Sequence, residues 1–353
     1  MSGSSPLCIA GRQISVDNPP YVIAELSANH NGSLETALKL IECASEAGAD
    51  AVKLQTYTAD TITLNSDSDD FQIHGGLWDG KTLYQLYQEA HMPWEWHEPL
   101  FEQARSLGIT IFSSPFDTTA VDYLENLNVP AYKVASFELT DHSLIRYMAS
   151  TGKPLILSTG MANLEEIEEA VQVVRDAGCK NFCLLHCVSG YPAPPSDYNL
   201  ATIPDMARHF GVPVGLSDHT IDNTTAITSV AFGASVIEKH FTLDRQGGGP
   251  DDSFSLEPPE LAQLCTATRS AWQAGGKVNY ERKSSEVENA KFRRSLYFVK
   301  DLAAGEVITK DAVRTVRPGF GLPPKYFDQL VGRKVAVDVV PGTACKWEIL
   351  MPM

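Results

Sequence analysis

The runs "VPVGLSDH" at residues 212–219 and "SVIEKHF" at 235–241 share one construction: a short apolar stretch of strand type leading into a polar cluster. The clusters are Ser217-Asp218-His219 and Glu238-Lys239-His240. Six earlier runs are built alike: "YVIAEL" (21–26), "AVKLQT" (51–56), "ITIFSSPF" (109–116), "AYKVASFE" (131–138), "PLILSTG" (154–160) and "FCLLHC" (182–187). Helix-period segments lie between them, among them "SLETALKLIECASEAGA" and "NLEEIEEAVQVVRDAG", each closing at a glycine in helix-stop position. Parallel strands need helical crossovers, so eight strand-then-helix units predict an α/β fold, a (β/α)8 TIM barrel, with a doubly wound open sheet as the alternative. The leading "LCIAGRQISV" predicts a small hairpin closing the bottom of that barrel.

The spacing breaks once. Residues 57–108 separate the second run from the third and contain the aromatic-rich "TLNSDSDDFQIHGGLWDGKTLYQLYQEAHMPWEWH". That is longer than an ordinary connection, and loops after barrel strands lie on the active face. The segment is therefore read as a lid or specificity wall, with a helical decoration packed on the barrel as the plainer reading. After the polar "GGKVNYERKSSEVENAKF" the pattern changes to short strand-like runs with glycine turns, "AAGE" and "VPGT". The expected division is a catalytic barrel at 1–280, a linker at 281–292 and a small second domain at 293–353.

With 353 residues, 43% hydrophobic and 20% charged, the chain is long enough to bury one large core and a smaller one. A net charge of -16 argues against nucleic acid as a partner and gives no sign of an anionic membrane surface. The charge is uneven: residues 285–353 hold 11 Lys+Arg against 8 Asp+Glu, which leaves 17 basic and 36 acidic of the totals of 28 and 44 for residues 1–284. A weakly basic tail is attracted to an acidic body. No apolar run of membrane-spanning length occurs, and "MSGSSPLCIAGR" lacks the features of a secretory signal, so a cytoplasmic location is expected. The seven cysteines, odd in number and without metal spacing, are read as reduced.

Catalytic groups of a TIM barrel sit at the carboxyl ends of its strands. The two histidine clusters end the seventh and eighth runs, neighbours around the ring. His219 and His240 are therefore read as ligands of one divalent metal, water and substrate oxygens completing the shell. Taken singly, either reads as a hydrogen-bonded core histidine, and it is the pair on adjacent strand ends that reverses this. The other strand ends bring Glu25, Lys53, Gln55, Ser113, Ser114, Lys133, Ser136, Glu138, Ser158, Thr159, Ser189 and Tyr191. Ammonium groups with hydroxyls suit a small molecule bearing both a phosphate and a carboxylate. A metal-free aldolase with Lys133 or Lys239 as Schiff base is a second reading, and a non-catalytic sugar-binding protein a third. The chain has no P-loop motif to support nucleotide chemistry.

"IAELSANHNG", "AVKLQTY", "FSSPF", "YKVASFE", "STGM", "GLSDHT", "EKHFTLD" and "GGPDDSFSLEP" resemble the sialic acid synthase family. "RRSLYFVKDLAAGEVIT" and "VRPGFGLPP" resemble its C-terminal antifreeze-like SAF domain, of β-clip type. Within that family, "GGLWDGKTLYQLYQEAHMPWEWH" is similar to the pseudaminic acid synthase branch, with N-acetylneuraminate or legionaminate synthases as the alternative. The resemblance implies condensation of phosphoenolpyruvate with the open-chain aldehyde of an acetamido sugar, 2,4-diacetamido-2,4,6-trideoxy-altrose. The enol carbon attacks the aldehyde, water adds, and phosphate leaves by carbon–oxygen cleavage. It implies Mn2+ or Mg2+, with Co2+ as a further option, on His219 and His240. Phosphoenolpyruvate is matched to Lys53, Ser114, Lys133, Ser136, Ser158, Ser189, Tyr191 and Ser217, although sialate synthases often carry Thr and Asn at the positions of Ser114 and Ser189. Gln55, Glu138, Tyr191, Asp251, Phe292 and Arg317 are matched to the sugar, and Glu25 and Glu138 join the two histidines as catalytic groups. A domain-swapped homodimer is also implied, in which Arg317 reaches the partner's barrel.

Overall fold

In the computed structural model, which describes residues 7–352, a hairpin of β1 (Leu7–Ile9) and β2 (Arg12–Ile14) precedes eight parallel strands that close into a barrel. These are β3 (Tyr21–Glu25), β4 (Ala51–Thr56), β5 (Thr110–Pro115), β6 (Tyr132–Val134), β7 (Leu155–Ser158), β8 (Phe182–Cys187), β9 (Val214–Asp218) and β10 (Val236–His240), with β10 paired back onto β3. The TIM barrel expected from the eight runs is the observed fold. Strands covered on both faces bury nearly every residue, which is why each reads as an apolar run and not as a strict alternation.

The crossover helices are α1 (Leu34–Glu46), then, past the insertion described below, α4 (His97–Leu107), α5 (Thr118–Asn126), α6 (His142–Ser150), α7 (Leu164–Asp176), α8 (Thr202–Phe210), α9 (Thr224–Ala231) and α10 (Pro258–Gly275). Each turns one stripe inward, as Ile167, Ala170, Val171 and Val174 do on α7, at the spacing of a helix face. Ser33 caps α1 by accepting from Thr36 N–H at 3.2 Å, and Asn163 caps α7 in a reciprocal box with Glu166. The hairpin lies at the amino ends of the strands. Asn181, just before β8, exchanges two hydrogen bonds with the Cys8 backbone, and Arg12 pairs with Asp50, just before β4.

The long segment after β4 holds α2 (Ala59–Ile62) and α3 (Leu83–Ala90). Its last part is not insertion at all: α4 buries Leu100, Phe101 and Ala104 and is the barrel's own crossover into β5. The inserted portion is thus residues 57–96, shorter than the 57–108 that spacing suggested.

The chain divides into two units, Met1–Gly276 and Lys277–Met353. The second pairs β11 (Ser295–Phe298) antiparallel to β12 (Val313–Val316), adds α11 (Phe327–Leu330), and centres its small core on Leu296, Phe298, Ile308, Leu330, Val335 and Cys345. No helix among the described residues is long and apolar enough to cross a membrane, and all seven cysteines are free.

Candidate active site

Side chains alternate across a strand, so the inward residues at the carboxyl ends share one space. A cavity of about 580 Å3 opens there and is lined by Glu25, Lys53, Gln55, Lys133, Ser136, Glu138, Ser158, Ser189, Tyr191, Ser217, Glu238, Asp251 and both histidines. Its floor is an ion cluster. Lys53 Nζ lies 2.7 Å from Glu25 Oε2 and 3.1 Å from Glu238 Oε1, and Lys133 Nζ lies 3.4 Å from the same Glu238 oxygen. Burial pulls Lys53 down to about 8. Burial pushes Glu238 up, but Lys133 and Lys53 more than offset it and hold its carboxyl at about 2. Gln55 Nε2 donates to Glu25 and to Ser27 Oγ, and the Ser27 hydroxyl donates in turn to the Asp251 carboxylate.

Hydroxyls complete this polar end. Ser158 Oγ and Ser189 Oγ are buried and make no hydrogen bond within the protein, whereas Ser136 Oγ accepts from Gly160 N–H at 3.2 Å. A Cβ added at Gly160 would lie 2.2 Å from Ser189 Oγ and 2.7 Å from Ser136 Oγ, so a larger residue there would displace both hydroxyls. Ser114 is buried opposite Gln55 in the β4–β5 pair with its hydroxyl unpartnered, and it is not among the lining residues. Glu138, lifted to about 7 chiefly by burial, keeps Oε2 unpartnered. Burial raises Asp251 as well.

His219 and His240 sit with ring centroids 5.4 Å apart, and Tyr191 packs 4.4 Å from His219. A carbonyl only accepts, so the 2.8 Å contact with Val188 O puts the His219 proton on Nδ1 and leaves the Nε2 lone pair open in the neutral ring. Burial lowers His219, but Cys187 and the Val188 carbonyl more than offset it and the net shift is upward. Burial first, and then the neighbouring His219, hold His240 well below the ordinary histidine range, so its ring is neutral. Its Nδ1 is buried without a hydrogen bond, with Asp251 Oδ2 at 3.9 Å. Once His219 gives up its second proton, the two imidazoles offer lone pairs that fit a borderline divalent cation. Among the described residues no three His, Cys, Asp or Glu side chains are grouped for a metal, so water and substrate would have to supply the other ligands.

The apolar part of the lining comes from the insertion: Tyr57, Ile62, Ile73, Trp78, Leu83, Leu86 and Tyr87, with Phe116 beyond β5. Part of the 57–108 segment read from the sequence as a lid or specificity wall thus lines the cavity, through α3 and the residues before it. His97 lies apart from it, fully buried and 2.7 Å from Thr56 Oγ1.

Two sequence readings change. Lys239 does not line the cavity: its Nζ donates to Asp218 and to the carbonyls of Thr220 and Asp222, which removes it as a Schiff-base nucleophile. Glu238, absent from the expected ligand set, is the hub joining both lysines. Its position two residues before His240, on the same strand face, was the available signal. Phe292 and Arg317 lie in the second unit, both exposed.

Residues 40–280 match the NeuB family and residues 293–350 the SAF domain. The chain is 44% identical to the pseudaminic acid synthase of Campylobacter jejuni subsp. jejuni serotype O:23/36 over 94% of its own length and 97% of that protein. It is 43% identical to the Helicobacter pylori pseudaminic acid synthase over 90% and 94%. The crystal structure of an N-acetylneuraminic acid (sialic acid) synthetase from Leptospira borgpetersenii superposes with a TM-score of 0.73 at 32% identity, covering 83% of this chain and 98% of that one. A family match over most of the barrel, and relatives this similar along nearly their whole length, establish that the chain belongs to the NeuB family and carries a C-terminal SAF domain.

Proposed function

We propose that this chain condenses phosphoenolpyruvate with 2,4-diacetamido-2,4,6-trideoxy-altrose and water to give pseudaminate and phosphate. The observation that carries the reading is one cavity lined both by ammonium groups with free hydroxyls and by an apolar wall, in a chain so similar to pseudaminic acid synthases. Lys53 and Lys133 neutralise the carboxylate and phosphate, and Ser136, Ser158, Ser189 and Ser217 complete their oxygen shells. The aldehyde then comes close to His219 and His240, which line the same cavity. These two rings would hold Mn2+ or Mg2+, which when bound supplies Lewis-acid polarisation of the aldehyde.

The enol carbon forms a bond to the aldehyde carbon, whose oxygen takes a proton. Glu138, lifted to about 7 by burial and with a free oxygen, is the candidate to give it. Water adds to the cationic carbon that still bears the phosphate and loses a proton to a site carboxylate, for which Glu25 is the candidate. Collapse of the tetrahedral centre breaks its carbon–oxygen bond to phosphate, the departing phosphate takes the hydroxyl proton, and the 2-keto acid remains. The acidic barrel and weakly basic tail support a homodimer in which the second unit of one chain, with Phe292 and Arg317, closes the partner's site. Use of phosphoenolpyruvate, a central metabolite, supports a cytoplasmic location.

The test is a phosphate-release assay with phosphoenolpyruvate and a panel of acetamido sugars, with and without Mn2+ or Mg2+ after chelation. The diacetamido trideoxy sugar should be preferred over N-acetylmannosamine by about a hundredfold in kcat/KM. A higher kcat/KM for N-acetylmannosamine would replace the reading with N-acetylneuraminate synthesis.

A further inference from the structure

Residues 72–82 form a hairpin at the cavity's edge. Gln72 bridges Thr82 antiparallel, Ile73 N–H donates to Lys81 O at 2.9 Å, and Gly80 N–H donates to Ile73 O at 3.1 Å. Its tip is open to solvent: His74 to Gly80 are exposed except for Trp78. Gly75, Gly76 and Gly80 take φ of 81, 78 and 82°, with no atom within 4 Å of where a Cβ would stand. These glycines answer to the backbone path of the turn and not to packing, and that path delivers one large side chain inward.

Trp78 lines the cavity, 6.2 Å by ring centroid from Tyr191, which itself packs on His219. Its indole N–H donates to Pro250 O at 3.2 Å, across 172 positions of sequence. Pro250 immediately precedes Asp251, whose carboxylate the Ser27 hydroxyl holds at the cavity. With its only donor committed to a backbone carbonyl, the indole has only its apolar face to offer the interior. The ammonium groups of the same cavity are those of Lys53 and Lys133. A ligand that meets both kinds of lining is anionic in one part and presents C–H groups and acetamido methyls in another.

We infer that Trp78 is a sugar-recognition residue: its ring covers the apolar face of the acceptor sugar, and its bond to Pro250 fixes the hairpin and the Asp251 segment as one edge of the site. The inference rests on the reading of the cavity as one that takes an acetamido sugar together with phosphoenolpyruvate. A rigid aromatic face gives contact area at small entropic cost and is lost entirely on truncation.

The experiment measures both KM values for the full-length wild type, Trp78→Ala and Trp78→Phe with phosphoenolpyruvate, the diacetamido trideoxy altrose and saturating Mn2+. Trp78→Ala should raise the sugar KM at least about tenfold, while the phosphoenolpyruvate KM stays within about twofold. Trp78→Phe keeps a ring but loses the donor, and should fall between the two. An unchanged sugar KM in Trp78→Ala, or equal rises in both KM values, overturns the inference. Wild-type turnover is measured first. If the wild type turns over none of the acetamido sugars, the functional reading fails and this role for Trp78 falls with it, whereas wild-type turnover with an indifferent Trp78→Ala sinks the Trp78 role alone.

Discussion

Lys239→Met tests what holds the two histidines in place. Lys239 stands opposite Asp218 in the β9–β10 pair, between two residues that line the cavity, Glu238 and His240. Its side chain is 1% exposed and that of Asp218 0%, with Nζ 2.9 Å from the carboxylate. The same ammonium donates to Thr220 O at 2.7 Å and Asp222 O at 2.8 Å, tying down the turn that follows His219. Methionine fills similar space without charge. It leaves a buried carboxylate with neutral donors alone, among them the Thr220 N–H and hydroxyl, and two carbonyls without this donor. Removing one member of a buried ion pair costs about 3–5 kcal/mol, because the remaining charge stays desolvated and uncompensated. Urea unfolding should show that loss as a lower midpoint at unchanged slope. Asp218→Asn added to Lys239→Met should recover part of it, a coupling of about 1–3 kcal/mol. The surviving fold should also bind Mn2+ more weakly, since the two ring positions are no longer braced from behind. A loss below about 1 kcal/mol for Lys239→Met, or strict additivity of the two changes, would refute the reasoning.

His240→Ala should abolish Mn2+ binding seen by electron paramagnetic resonance and lower turnover on the order of a thousandfold; full activity in a thoroughly chelated variant contradicts a metal role. Glu138 is raised by burial to about 7, so the folded state holds its proton more tightly than the unfolded chain. Wild-type stability relative to Glu138→Gln should therefore be greatest below the ordinary glutamate range and fall as pH rises through about 7, and parallel stability curves between pH 4 and 8 would contradict it. Mixing inactive His240→Ala with inactive Arg317→Ala chains should restore up to about a quarter of wild-type sites if Arg317 acts across a two-fold dimer. No recovery after subunit exchange, demonstrated with a mass tag, would confine Arg317 to its own chain.

The barrel was legible in the amino-acid sequence because strands buried on both faces leave near-continuous apolar runs, and amphipathic helices between them keep a 3.6-residue period. The polar ends of those runs marked the rim of the cavity for the same reason: an ionisable group ending an apolar strand has few other places to be. What the sequence could not settle is phase and distance. In Glu238-Lys239-His240 all three side chains are equally polar on paper, yet closure of β10 onto β3 turns Glu238 and His240 into the cavity and Lys239 out beneath the helices. The segment after β4 looked like one long insertion because aromatic composition does not reveal that residues from His97 onward pack as an ordinary crossover. The pairing of Trp78 with Pro250, and of Lys53 with Glu238 across 185 positions, exists only once the sheet has closed. Local propensity sets which segments become strands and helices, whereas inward or outward facing and the meeting of distant side chains follow from parallel register around the ring.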